Sequence, residues 1–477
     1  MPDVNVVRPA FHEGQLIGYA CLRAHWPDVG SGTPGSYGAV TNIFGEGLRI
    51  PPLRLISRGT LNVDVEKLVL ANVRTPDERK GDLGAQLAAT LRATDRLKAL
   101  ATRYGGAELV GYMSDVMDYS ERLMRAALIE LPDGQGTFED CCDGDGIADD
   151  EYGNDAQFRI RLKVGKQKDR LVVDFAGTDA QLKGPMNAPL SVTASGVYCG
   201  LKTAIDPNDL IPPNSGCWRS IEIRARKGSL VNTQFPAPVV YANHEISHRV
   251  ADMVMGALAN FLPHQVMACS QGTSAILTLG GIDPRTGRSY VSYETVKGGF
   301  GARPCKDGIN TIASGISNTM NTPVEVMETA FPVRIERYEI NPDSGGAGRY
   351  RGGCGAIRVW RLLHDAHATG ALCMERMTSP PFGLLGGKPG AAAVVTLTTP
   401  DGPKRQLPSK GAFEAPAGSV ITMITPGSGG FGPPAERDQA ALARDLREGY
   451  VTAAHLESQY GIAAQALRKA AATEDDR

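Results

Sequence analysis

The sequence predicts an α+β, multidomain chain, with mixed β-sheets and helical insertions, a β-rich C-terminal half and a helical tail. Three observations predict it. Leucines at 83, 87, 91, 97 and 100 recur at helical spacing. From residue 333 to residue 425, short strand-like runs alternate with Gly/Pro turns. The 56 glycines and 31 prolines in 477 residues demand many turns throughout.

Taken in order, Val4–Val7 and Leu16–Cys21 flank the turn residues His12, Glu13, Gly14 and Gln15, which predicts a hairpin. Residues 30–38 (GSGTPGSYG) are a loop. Residues 76–130 are helical, with Pro76 suited to a first turn. An acidic, Gly-rich connection covers 131–156. Strands follow at 157–164 and 170–176, and buried helices at 190–204 and 246–261. Pro433–Pro434 ends the β-rich part, and the Ala-rich stretch 436–475 reads as exposed helices. These elements divide the chain at 1–60, 61–156, 157–332, 333–435 and 436–477. The first unit is a hairpin and metal-site region, and the third is the substrate-pocket domain.

The net charge of −2 gives no electrostatic case for nucleic acid or an anionic membrane. Nine scattered cysteines make no disulfide framework and point to reduced thiols in the cytosol. No stretch has the apolar length of a membrane span, and residues 1–11 do not read as a signal peptide.

Three clusters carry candidate chemistry. Asp3 and His25 sit at the ends of the two hairpin strands, with Asp28 nearby. A carboxylate and an imidazole suit a borderline divalent ion such as Mn²⁺, Zn²⁺ or Fe²⁺. On the residues alone, His25-x-x-Asp28 also reads as structural. The second cluster is Asn243-His244-Glu245 with His248. The histidines are four apart and share a helix face, but the spacing differs from the His-Glu-x-x-His zinc pattern. A polar pocket wall is the other reading. The third cluster comprises Asn187, Asn214, Glu294, Thr295, Gly298, Gly299, Gly301, Arg303, Asn321 and Thr322. Here glycine N–H groups suit an oxyanion, Arg303 a carboxylate or phosphate, and Glu294 general-base work.

Three look-alikes are set aside. Gly427-x-Gly429-x-x-Gly432 mimics a dinucleotide fingerprint, but prolines follow where a helix must start. Asp343–Ser344 with His455 mimics serine-protease segments in reversed chain order. Asp143-x-Asp145 lacks the rest of a calcium loop and reads as an acidic turn.

The order of fragments adds more. RPAFHEGQLIGY, RAHWPDVGSGTPGS, VDFAGTDAQLKGPMNAPL, IPPNSGCWR, YETVKGGFGARP, NTPVEVMETAFPVRIERYE, DSGGAGRYRGG and TPGSGGFG follow one another almost end to end. In this the chain resembles the hydantoinase B family, which includes the B components of N-methylhydantoinases, the matching half of 5-oxoprolinase, and acetone and acetophenone carboxylase large subunits. The resemblance implies that Asp3 and His25 are metal ligands and that Asp28 orients His25. It also implies a longer preceding segment, with a further ligand just before Met1, so that the chain reads as N-terminally truncated and its metal site as incomplete. Family histidines before the Asn-Thr-Pro motif are replaced here by Thr311-Ile-Ala-Ser-Gly, and His248 stands where a Gln is common.

The implied activity is that of the B-type component of an ATP-dependent cyclic-amide hydrolase of hydantoin or 5-oxoproline type. ATP is expected to be used by a hydantoinase A-type partner, docked through the β-rich half, since this chain has no Gly-x-x-x-x-Gly-Lys-Ser/Thr motif. The expected cofactor is a divalent metal, Mn²⁺ or Zn²⁺. Two rival readings are a ketone carboxylase large subunit and an inactive scaffold.

Overall fold

The computed structural model describes residues 2–147, 157–363, 365–463 and 465. Strands Asp3–His12 and Gln15–His25 form the expected hairpin, longer than the sequence indicated. Its two-residue turn places Glu13 at φ 48° and Gly14 at φ 78°, the left-handed pair that a tight hairpin with native twist requires. One face of the hairpin packs on helices Pro76–Tyr104 and Gly106–Glu130, where Ala10 and Ile17 meet Ala101 and Leu109. The helical stretch is broken at Gly105, whose φ of 89° reverses the chain.

The body is layered. Strands 276–283, 288–295, 368–373 and 410–415 form an antiparallel four-stranded sheet, in the order Arg288–Thr295, Ile276–Asp283, Ala368–Cys373, Lys410–Ala415. Its side chains alternate between two cores, as the period of a strand demands. Leu277, Leu279 and Leu372 face a five-stranded sheet through Trp360, Ile421 and Met423. Ile276, Ala371 and Cys373 face the other way, into a core shared with Ile246, Val250 and Val254 of the buried helix Ala242–Leu258. That helix crosses Leu190–Ile205 closely. A Cβ at Gly196 would lie 2.8 Å from the Ser247 carbonyl oxygen.

Several expectations are corrected here. The boundary drawn at 332/333 runs through the four-stranded sheet, which joins residues from both sides of it. The acidic connection contains a strand, Gly134–Cys142, paired with Phe158–Gln167; its residues 148–156 lie outside the described residues. Asp143 is no solvated turn. It is buried and accepts hydrogen bonds from Thr378 Oγ1 at 2.7 Å and Ser379 Oγ at 2.9 Å. The tail helix Gln439–Arg447 packs with Val451 and Leu456 in a cluster of its own through Leu442, and is tied to the body by Asp445 with Arg351 at 3.3 Å and Arg437 with Asp307 at 2.7 Å, whereas 464 and 466–475 lie outside the described residues.

The glycine-rich fragments also have a different use from the one expected. A Cβ on Gly301 would sit 1.8 Å from the Ala268 carbonyl oxygen, on Gly299 2.1 Å from that of Gly353, and on Gly427 1.7 Å from that of Ser344. These segments hydrogen-bond to one another outside any strand: Gly299 N–H donates to Pro426, Ala302 to Gly429, and Gly429 to Cys269. Glycine is required because backbone meets backbone, and the Gly299 N–H is already spent. Gly427–Gly432 belongs to the same packing and is followed only by the three-residue 3₁₀ turn Pro434–Glu436.

A buried charge network pins the helix to the strands. Arg249 Nη1 lies 2.7 Å from Asp140 Oδ2, and Arg376 Nη2 lies 2.8 Å from the same oxygen. Arg249 and Lys410 both pair with Glu375. No helix of the described residues is long and apolar enough to cross a membrane, and the cysteines are free.

Candidate functional site

The hairpin register places Asp3 directly opposite His25. Asp3 is held at the mouth by Arg23, whose Nε donates to Oδ2 at 2.9 Å. The imidazole of His25 turns inward. Its Nε2 is buried without a hydrogen-bond partner among the described residues. Its ring lies 4.7 Å from that of Tyr293 and 5.8 Å from that of His244, centroid to centroid.

Three other elements complete this centre. The loop 30–38 lies across the four-stranded sheet, where Gly35, at φ 77°, would bring a Cβ within 2.5 Å of Thr278 Cγ2. Thr278 Oγ1 donates to the Pro34 carbonyl at 3.1 Å, which fixes the loop and delivers Tyr37. Strand Arg288–Thr295 supplies Tyr293, and the first turn of helix Ala242–Leu258 supplies His244. The Tyr37 hydroxyl lies 2.7 and 3.0 Å from the two ring nitrogens of His244. The Tyr293 hydroxyl is 3.0 Å from that of Tyr37 and 3.2 Å from His244 Nε2.

Burial sets the protonation of these groups. It lowers His25 to about 4, with the Asp3 charge opposing, and holds His244 well below the usual imidazole range. It raises Tyr37 and Tyr293 far above the usual phenol range. At neutral pH the centre therefore holds neutral imidazoles and protonated hydroxyls. It can accept a proton at an imidazole nitrogen and donate hydrogen bonds from two phenols to a developing negative charge.

The other predicted site residues lie elsewhere. Asp28 does not touch His25; its carboxylate is stapled to Arg74, with Oδ1 2.6 Å from Nη1 and Oδ2 2.9 Å from the backbone N–H. Glu294 follows Tyr293 in the same strand and so points to the opposite face. There it pairs with Arg358 at 2.9 Å between the two sheets. Asn187 gives its amide N–H groups to the carbonyls of Leu182, Gly184 and Pro238 and accepts from Leu182 N–H, so it staples a turn. Asn214 caps a short helix through Gly216 N–H at 2.8 Å and donates to Ser120 at 2.7 Å. Arg303 donates to the Asp307 carbonyl at 2.7 Å, closing a turn. Asn321 bonds the Tyr338 hydroxyl. None of these contacts reaches the His25 centre.

His244 and His248 engage different partners. His248 lies one turn further along, between Ser274 (3.2 Å from Nε2) and Ser314. No group of three or more His, Cys, Asp or Glu side chains placed to hold a metal occurs among the described residues. Asp343 and His455 do approach, at 3.8 Å, but Ser344 Oγ donates to the Asn341 carbonyl, so no triad forms. Sequence reading missed Tyr37 and Tyr293. Strand alternation in Tyr293–Glu294 was the available signal, since only one of the two can face the hairpin.

Burial of His248 lowers it to about 3. Its unfolded value is near 6.5, so the unfolded chain takes up the proton first as pH falls. Its contribution to stability is complete above pH 6.5 and is lost toward pH 3, at up to about 1.4 kcal/mol per pH unit. The variant His248→Gln is expected to melt with a shallower pH dependence between pH 6 and 4. Parallel melting curves for the two proteins would refute this.

The hydantoinase B/oxoprolinase family model matches residues 1–434. The chain belongs to the hydantoinase B/oxoprolinase family. A protein from a Pseudomonas species, provisionally named as the B component of a D-/L-hydantoinase, is 33% identical over 473 residues, covering 97% of this chain and 78% of its own. The crystal structure of an ATP-dependent caprolactamase from Pseudomonas jessenii is similar with a TM-score of 0.86 at 29% identity, covering 97% of this chain and 80% of the other. A nucleotide-free acetone carboxylase shares the fold, with a TM-score of 0.89 at 19% identity over 99% of this chain and 70% of the other. The mixed, multidomain α+β architecture is thus that of the family. Relatives named as one component of a hydantoinase and of a caprolactamase imply a partner subunit.

Proposed function

We propose that this chain is the B-type component of an ATP-dependent cyclic-amide hydrolase. An A-type partner phosphorylates the amide oxygen of a hydantoin, 5-oxoproline or related lactam. This chain then adds water to the activated carbon, the ring C–N bond breaks with the nitrogen taking up a proton, and a second water cleaves the resulting acyl phosphate to the carboxylate and inorganic phosphate. The observation that carries the reading is the orphaned Nε2 of His25, buried beside Tyr293 and His244 and opposite Asp3.

A divalent ion, Mn²⁺ or Zn²⁺, fits two of these donors, a carboxylate and a neutral imidazole whose free nitrogen has no other use. Asp3 and His25 would hold it, and it would supply the charge that makes a bound water acidic. The chain's own residues supply the rest. His244 is neutral and accepts the proton of the attacking water. Tyr37 and Tyr293 keep their protons and donate to the oxyanion as it forms. Buried tyrosines and the loop 30–38 exclude bulk water from a reactive intermediate.

The test is reconstitution. An A-type partner co-expressed with this chain should co-elute with it and convert hydantoin, 5-oxoproline or caprolactam to the ring-opened acid with formation of ADP. Isotope from labelled water should enter the new carboxylate. Separate elution at micromolar concentration counts against the reading, as does ring opening that proceeds equally without this chain. A carboxylated product would replace it with the carboxylase reading.

A further inference from the structure

One buried cation lacks a counter-charge. Lys297 is almost fully buried, yet no carboxylate of the described residues lies within ion-pair distance of it. Every other buried Lys or Arg among the described residues has one. Examples are Arg79 with Asp82, Lys166 with Asp133, Arg351 with Asp445, Arg376 with Asp140, and Arg437 with Asp307. Arg249 and Lys410 share Glu375, and Arg358 holds Glu294. Glu294 is the carboxylate whose field reaches Lys297, but it points to the other face of the strand and is committed to Arg358. An ammonium has three N–H donors. For Lys297 one is used, on Thr295 Oγ1 at 2.7 Å. An unpaired buried charge is costly, and chains keep such a group where an anion completes it.

The position of Lys297 gives that anion a role. Tyr293 and Thr295 face the same side of their strand, about 7 Å apart. His244 and His248 are one turn apart on the helix opposite, about 6 Å. His244 meets Tyr293, and His248 is the histidine that feels the Lys297 charge. Gly298, next to Lys297, accepts from Ile312 N–H, and Ser314 of that same segment bonds His248, which sets a Lys297–Thr295–His248 level beside the His25–His244 centre. The strap over this level is residues 311–316, in which Thr311 is held at φ 48°, a strained setting for a β-branched residue.

We propose that Lys297, with Thr295 and beside His248, is an anion subsite that receives the phosphoryl or carboxylate oxygens of the substrate while its amide carbon lies at the His25–His244 centre. The inference rests on the hydrolase reading for the identity of the substrate, but the subsite itself does not. Burial draws the lysine down to about 8, which leaves it cationic at neutral pH, and a bound anion would restore it. A compact, mobile ammonium suits an oxyanion that changes shape during reaction.

The experiment is a calorimetric titration of the purified chain with inorganic phosphate, and separately with acetate. It uses neither partner nor lactam, so its failure removes the subsite without touching the hydrolase reading. Failure of ring opening leaves the subsite standing. Wild type should bind one phosphate per chain. Lys297→Met should weaken it at least tenfold, Lys297→Arg should stay within threefold, and His25→Ala should leave it unchanged. Saturable binding of phosphate alone assigns the phosphoryl group to the subsite; binding of acetate with equal affinity assigns a carboxylate. In parallel, wild-type crystals soaked in arsenate should show anomalous density within hydrogen-bond distance of Lys297 Nζ, a readout that needs no variant to fold. Equal phosphate binding by Lys297→Met, no saturable binding by wild type, or arsenate density only elsewhere would each overturn the proposal.

Discussion

Arg249→Met is expected to lower the stability of the chain by about 3–5 kcal/mol, the range for breaking one partner out of a buried ion cluster. The Arg249 guanidinium is fully buried and serves two carboxylates, Asp140 on strand Gly134–Cys142 and Glu375 just beyond strand Ala368–Cys373. Methionine fills the space but leaves Asp140 with Arg376 alone and Glu375 with Lys410 alone. The helix that carries His244 then loses its own ion pairs to the sheets. Urea denaturation at pH 7 measures the loss. As a control, Arg219→Met removes exposed pairs with Asp118 and Glu121 and should be indistinguishable from wild type. A loss under about 1 kcal/mol for Arg249→Met would show that the network is not what holds the layers together.

His25→Ala should lower kcat of the reconstituted complex by at least about 1,000-fold, roughly 4 kcal/mol of transition-state stabilisation. It should leave the melting temperature nearly unchanged, because the Nε2 of His25 makes no hydrogen bond among the described residues. His25→Gln, closer in size, should be equally inactive. Asp28→Asn is expected to behave in the opposite way. Its carboxylate joins the end of the hairpin to Arg74 at the start of the helical region, so the change should cost stability and spare kcat. Steady-state kinetics with thermal melting on the three variants separates these outcomes. A His25→Ala enzyme within tenfold of wild type would remove His25 from the chemistry.

What the sequence revealed, and what it hid, follows the range of the interactions involved. The hairpin was legible because Glu13–Gly14 is a local turn signal between alternating strands, and with it came the opposition of Asp3 and His25. The helical stretch after Pro76 was legible from its leucines. Strand Gly134–Cys142 was not. Its acids look like a solvated linker, and the Arg249 and Arg376 that bury Asp140 are more than a hundred residues away in sequence. The glycine-rich fragments were misassigned for a physical reason. Glycine permits close approach of either a ligand or another backbone, and only the fold shows that here the neighbour is backbone. Glu294 drew attention as the acid of its motif, whereas the tyrosine before it faces the centre. The meeting of Tyr37, His244 and Tyr293 joins segments about two hundred and fifty positions apart at the extremes, and no local pattern encodes it.

The claim that the His25 centre is where water is activated is tested most directly by an equilibrium titration of the purified chain with Zn²⁺ and with Mn²⁺, followed by the same titration of His25→Ala. Wild type should bind one ion per chain, and His25→Ala should bind at least about 100-fold more weakly, in step with its loss of activity. Equal affinity in the two proteins, or no saturable binding by wild type, would contradict it.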